Sequence, residues 1–131
     1  MKNLEAVSKL FQDPASVKVI TTVSKEGEPH TIVAGSIMVV DENTMAVAEV
    51  FMNTTSANLA DNQKVALLAV KGMESYLVNA TVEKRHTDGG LFDTISGRFA
   101  AMNMVVKAVW TFAVDKIYDE SAGPNGGKQL F

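Results

Sequence analysis

Val65-Ala66-Leu67-Leu68-Ala69-Val70 gives way at Gly72-Met73-Glu74 to Tyr76-Leu77-Val78-Asn79-Ala80-Thr81-Val82. An apolar run of this length, bounded by turn residues, reads as a central strand, and the second run reads as its hairpin partner. The spacing predicts antiparallel strands at 65–70 and 76–82. Working outward, Val17, Val19 and Val23 lie on one face of an alternating run, and Lys25-Glu26-Gly27-Glu28-Pro29 supplies the turn that follows. Residues 31–40 and 44–50 are rich in β-branched side chains and separated by Asp41-Glu42-Asn43, so they predict two more strands. Gly35, in the middle of the first, marks a bulge or a place where a ligand or another backbone comes close. A last strand is predicted over 108–114, where Trp110 and Phe112 read as core residues.

Three helical segments punctuate these strands. Leu4, Val7 and Phe11 form one helical stripe, so a helix is expected over about 2–12, ending before Pro14. Ala57-Asn58-Leu59-Ala60 is a short helical stretch whose start lies among Asn53, Thr54, Thr55 and Ser56. Thr87-Asp88-Gly89-Gly90 opens a longer helix that turns Leu91, Phe92, Ile95, Phe99 and Met102 toward a core. After Tyr118 the chain loses periodicity, and 119–131 reads as a functional loop or a loose tail. Six strands joined mostly by hairpins, with segregated helices, predict an α+β fold, and a sheet closed into a small barrel would remove its exposed edges. The 131 residues form one domain, 1–131, with no internal repeat.

Composition narrows the chemistry. With no cysteine, disulfides, thiolate catalysis, iron–sulfur ligation and cysteine-bearing zinc sites are excluded. His30 and His86 carry no metal-ligand spacing, so no protein-held metal is expected, and His30 reads as a polar turn residue. A net charge of −3 with dispersed cations leaves no footprint for nucleic acid. No stretch is apolar for long enough to span a membrane, and Met1–Glu5 lacks the apolar core of a signal peptide, so a cytoplasmic address is expected.

The leading candidate site is Val50-Phe51-Met52-Asn53-Thr54-Thr55-Ser56-Ala57-Asn58-Leu59. Hydroxyl and amide side chains at a helix start, together with its unpaired N–H groups, can hold a phosphate; the alternative is that Thr55 or Ser56 simply caps the helix, which is what such residues usually do. Gly123–Lys128 departs from a triphosphate-binding loop, because Ala122 stands where the first glycine belongs and Gln129 replaces the hydroxyl residue. Asn53-Thr54-Thr55 and Asn79-Ala80-Thr81 match the glycosylation pattern, which carries no weight without a secretory signal.

Across nearly its whole length the chain resembles the FMN-binding split-barrel family related to pyridoxamine 5′-phosphate oxidase, above all its short members. Gly27-Glu28-Pro29-His30 is similar to that family's first hairpin. Asn58-Leu59-Ala60-Asp61-Asn62-Gln63-Lys64-Val65-Ala66-Leu67 resembles its recurrent helix and strand, and Ile117-Tyr118-Asp119 with Gly123–Lys128 resembles a C-terminal segment of some members. The resemblance implies a homodimer with FMN between subunits. It places Asn53, Thr54, Thr55 and Asn58 around the phosphate, and Val33, Ala34, Gly35, Ser36, Val50, Phe51 and Met52 along the flavin ring. Thr54 and Thr55 stand where the family often has Lys or Arg, so the phosphate would rest on neutral donors or on Lys128 from the tail; Asn79 stands where members often have glycine. The implied activity is that of an oxidoreductase or electron carrier, with no side chain assigned to catalysis. A store or sensor of flavin, deazaflavin or haem, or a cofactor-free dimer, is also consistent with the sequence.

Overall fold

The computed structural model describes residues 4–131. Along the chain run helix α1 (Glu5–Gln12), strands β1 (Val17–Val23), β2 (Pro29–Val33), β3 (Met38–Asp41) and β4 (Thr44–Glu49), and helix α2 (Asn53–Asp61). Strands β5 (Lys64–Lys71) and β6 (Glu74–His86), helix α3 (Gly89–Ala100), and strands β7 (Ala108–Asp119) and β8 (Lys128–Gln129) complete it. The first two residues of the helix expected over 2–12 lie outside the described residues. The strands form one antiparallel sheet in the order β2-β1-β5-β6-β7-β4-β3, with β8 added on β7. Among the described residues no helix is long and apolar enough to cross a membrane.

The 65–70 and 76–82 pair lies at the centre of this order, as the apolar runs predict, with Leu67 opposite Val78 in the β5–β6 ladder. Both side chains are fully buried, together with Ile20 of β1 and Ile117 of β7. Irregularities in β6 at Asn79/Ala80 and Val82/Lys84 increase its twist and let the sheet curl around the core. β2 and β3 form the two margins of the curled sheet and do not pair with each other, so the barrel is split along a seam.

There are eight strands rather than the expected six, for two local reasons. The run 31–40 is not one strand. It breaks at residues 34–37, where the Ile37 N–H returns to the Ala34 carbonyl at 3.3 Å. Ser36 makes the break possible: its hydroxyl donates to the Ala48 carbonyl at 3.1 Å and accepts from the Ala48 N–H at 3.2 Å. A side chain thereby replaces the backbone pairing that would have continued the β3–β4 ladder past Met38 and Ala46. The tail supplies the other strand, since Lys128 and Gln129 pair with Asp119 and Tyr118, and the Leu130 N–H donates to the Ile117 carbonyl at 2.7 Å. It is therefore a folded-back segment rather than a loose end.

α3 packs on the outer face of β4 and β7, where Ile95 joins Ala46, Ala48, Val106 and Val109 in a second core, with Leu91, Phe92 and Phe99 at its edge. Met102 departs from expectation. The helix ends at Ala100, and Asn103 adopts a left-handed conformation with φ 60°. Its N–H closes on Ala100, while that of Met104 returns to the Phe99 carbonyl at 3.0 Å. Asn tolerates this conformation and reverses the chain, leaving Met102 exposed on a turn instead of buried in a helix.

Candidate functional site

Where the seam meets the end of β4 and the turn after α3, the surface opens into a cleft of about 360 Å³. Its walls come from three places in the chain: Ile32–Ser36 at the strand break, Ala48 and Val50–Met52 at the end of β4, and Phe99, Met102 and Met104. All seven residues that the resemblance sets along a flavin ring, namely Val33, Ala34, Gly35, Ser36, Val50, Phe51 and Met52, line this one space. Ser36 is the only polar side chain among them and is occupied with Ala48. At Gly35 a Cβ would meet no atom within 4 Å, so the missing side chain leaves bare backbone beside the cleft. Phe51 and Val33 stand at the rim, 90% and 72% exposed, a large apolar area left in water.

The four expected phosphate residues are divided by the structure. None of them lines the cleft; all lie in α2, directly after Met52. Asn53 and Thr54 are exposed on its first turn. Thr55 is fully buried, and its hydroxyl has no partner. Asn58, 6% exposed, donates through Nδ2 to the Thr22 hydroxyl at 3.1 Å and so ties the helix to β1. The α2 start carries no side-chain cap, leaving its first N–H groups available. Lys128 sits opposite Asp119, whereas the segment expected to hold the phosphate follows Glu49, which pairs with Ala108 at the other end of β7. The two ends are about 36 Å apart measured along an extended strand, so within one subunit Lys128 and that segment are not brought together.

Beneath that segment lies a polar cluster that no local sequence pattern announced. Glu49, 7% exposed, follows Ala48 and precedes Val50 but points to the opposite side of β4. Arg85 grips both carboxylate oxygens, Nε to Oε1 at 3.2 Å and Nη2 to Oε2 at 3.1 Å, and Trp110 Nε1 donates to Oε1 at 2.8 Å. The guanidinium also lies over the Trp110 ring, 5.9 Å from its centroid. Burial alone would push the Glu49 carboxyl up, but the Arg85 and Trp110 bonds, helped by the nearby Ser56 hydroxyl, outweigh it and hold the group below its ordinary range. The Ser56 hydroxyl is near enough to contribute without forming a full hydrogen bond. Glu49, Arg85 and Trp110 come from three strands, which is why linear spacing concealed them.

An antiparallel barrel open along one seam, with an apolar cleft at that seam, defines the split-barrel class. The model of the pyridoxamine 5′-phosphate oxidase family matches residues 4–119, and the chain belongs to that family. Among solved structures it is similar to the HupZ protein of Group A Streptococcus, with 25% identity and a TM-score of 0.79 over 94% of this chain and 98% of that one. An FMN-binding protein from Syntrophomonas wolfei shares 20% identity with a TM-score of 0.83, covering 92% of this chain and 87% of its own. HutZ, the haem storage protein of Vibrio cholerae, shares 11% with a TM-score of 0.67, over 92% and 97%. These last two likenesses speak to fold alone. No curated protein matches the chain in sequence.

Proposed function

We propose that this protein is an FMN-binding flavoprotein of the oxidoreductase or electron-carrier kind, holding the flavin ring in the seam cleft of a homodimer. The observation that carries the reading is the convergence of Val33–Ser36 with Val50–Met52 on one apolar slot whose floor includes bare backbone at Gly35. A flat heteroaromatic ring fits such a slot, because apolar walls bury its faces while exposed backbone groups are available to its polar edge. Asn53, Thr54 and the first N–H groups of α2 follow directly from the cleft wall and are the groups that would take the phosphate. When bound, FMN supplies electron and hydride transfer, and the protein positions it. Haem asks for an axial ligand, and neither histidine lines the cleft: His86 Nε2 is bonded to the Thr111 hydroxyl at 3.0 Å, and His30 of β2 lies opposite Thr22 of β1. Methionine sulfurs at 52, 102 and 104 are the ligands a haem would find there.

The partner surface is continuous with the cleft. Register places Val33, Val19, Leu68, Leu77 and Tyr118 in one row across β2, β1, β5, β6 and β7, on the face away from the core. None of the five is fully buried, and Val33 belongs both to this row and to the cleft. A second copy covering the row would close the slot. Absorption of the protein as purified tests the cofactor: bands near ~370 and ~450 nm and release of FMN on denaturation are expected, whereas a band near ~400 nm would show haem. A colourless protein that takes up no added FMN would overturn the reading.

A further inference from the structure

Gly35, Ser36 and Phe99 line a second space on their other side, a groove of about 360 Å³. Its remaining walls are Phe11, Gln12, Lys18, Ile37, Met38, Val39 and Arg98. In contrast to the seam cleft, it brings two cations together. Among the described residues neither Lys18 nor Arg98 forms an ion pair. Lys18 is the unusual one. On β1 it shares the parity of Ile20 and Thr22, both fully buried, so its stem runs along the core-facing side to the barrel mouth. Partial burial pushes its ammonium down, and only the field of Asp13 works the other way. Asp13 is already bound to Lys71 at 2.7 Å. A partly desolvated ammonium whose one acidic neighbour is engaged elsewhere gains from an external anion.

Resting on the reading of the seam cleft as the ligand site, we infer that the Lys18–Arg98 groove is an anion subsite of that cleft, taking a carboxylate or phosphate group on the far side of Gly35 and Phe99. Arg98, on the last turn of α3, offers a planar fork and Lys18 a point charge, a combination suited to an oxyanion. Gln12 lies beside them; one of its amide hydrogens goes to the Ser8 hydroxyl at 2.6 Å, and the second can add a donor. Ser36 contributes no contact of its own. Its bonds to Ala48 hold the turn that separates groove from cleft. The oxyanion belongs to a second, anionic molecule arriving beside the ring, or to the cofactor should its single phosphate rest here in place of the α2 start.

Calorimetric titration of the wild type, Lys18→Met, Arg98→Gln and the double variant, with FMN, riboflavin and inorganic phosphate, separates these sources. Inorganic phosphate should bind the flavin-free wild type and lose about tenfold or more in affinity for each cation removed. If the oxyanion is the cofactor's, FMN weakens by about ten- to a hundredfold in the variants while riboflavin is unchanged. If it belongs to a second molecule, both flavins bind as before, and phosphate added to the flavin-loaded wild type perturbs the flavin spectrum but no longer does so in the double variant. Equal phosphate binding by all four proteins, or none by any, overturns the subsite. Loss of phosphate in the variants of a protein that takes up no flavin would keep the subsite and overturn the flavin reading. Arg98 is exposed, so Arg98→Gln remains informative should Lys18→Met disturb the barrel mouth.

Discussion

At the scale of single residues, Glu49, Arg85 and Trp110 form a largely buried ion-pair cluster drawn from three strands. No local sequence pattern singles out Glu49, which sits between apolar neighbours, or Arg85, which lies beyond the strand expected over 76–82. Only the sheet order brings β4 and β6 to opposite sides of β7, so that Arg85 and Glu49 close over Trp110. Removing the charge should be costly: Glu49→Gln loses charge-assisted bonds worth about 1.5–3 kcal/mol and leaves Arg85 without its counter-ion. The pH dependence follows from the lowered carboxyl. A carboxylate held below its ordinary 4.5 contributes stability at pH above that value, and the contribution is lost as pH falls through the lower, folded-state value. Urea unfolding should therefore separate wild type from Glu49→Gln clearly at pH 7 and much less near pH 3. A gap of the same size at both would show that the ion pair is not its source. Thr55 and Asn58 teach the same lesson: their types suit a phosphate, yet burial turns both side chains inward, leaving Asn53 and Thr54 on the open turn.

At the scale of elements, most of the molecule was legible. The central hairpin, the strands at 17–23 and 44–50 and the start of α3 follow from apolar periodicity, because local patterning and long-range pairing demand the same residues there. The failures share a cause: a tertiary contact decided between conformations that local preference left nearly equal. Ser36 broke a β-branched run by offering its hydroxyl to Ala48, and Asn103 ended α3 before Met102. The folded-back tail is likewise held by β7 rather than by its own sequence. The strand break also explains Gly35, whose place in the middle of an apolar run pointed to a bulge or a close approach. Its φ lies outside the left-handed range and a Cβ there meets open space, so Gly35→Val should alter folding stability by no more than about 0.5 kcal/mol. Because Gly35 lines the cleft, a side chain there should obstruct flavin uptake. Parallel melting curves and flavin titrations test this, and a variant that binds flavin normally would remove Gly35 from the site.

At the scale of the whole molecule, Val33 and Phe51 are exposed and the outer row from Val33 to Tyr118 is only partly buried, an apolar surface suited to a second copy of the chain. Light scattering should give about 28 kDa, twice the chain mass of 14.1 kDa. Val33→Asp, placing a charge at the end of the proposed joint that borders the cleft, should shift the protein to its monomer and weaken flavin together with dimerisation. A Val33→Asp monomer that keeps wild-type flavin affinity would refute a shared pocket. The seam itself has a dynamic consequence. β2 and β3 each hold a neighbour on one side only, so their amides belong to the least protected part of the sheet and should exchange with solvent by local opening, while β5 and β6 exchange only on global unfolding. One wall of the cleft, Ile32–Ser36, begins on the β2 margin and runs through the break that leads to β3. Admission of a ligand therefore requires only the barrel's weakest fluctuation, and a bound ligand would be felt first as slowed exchange along the seam.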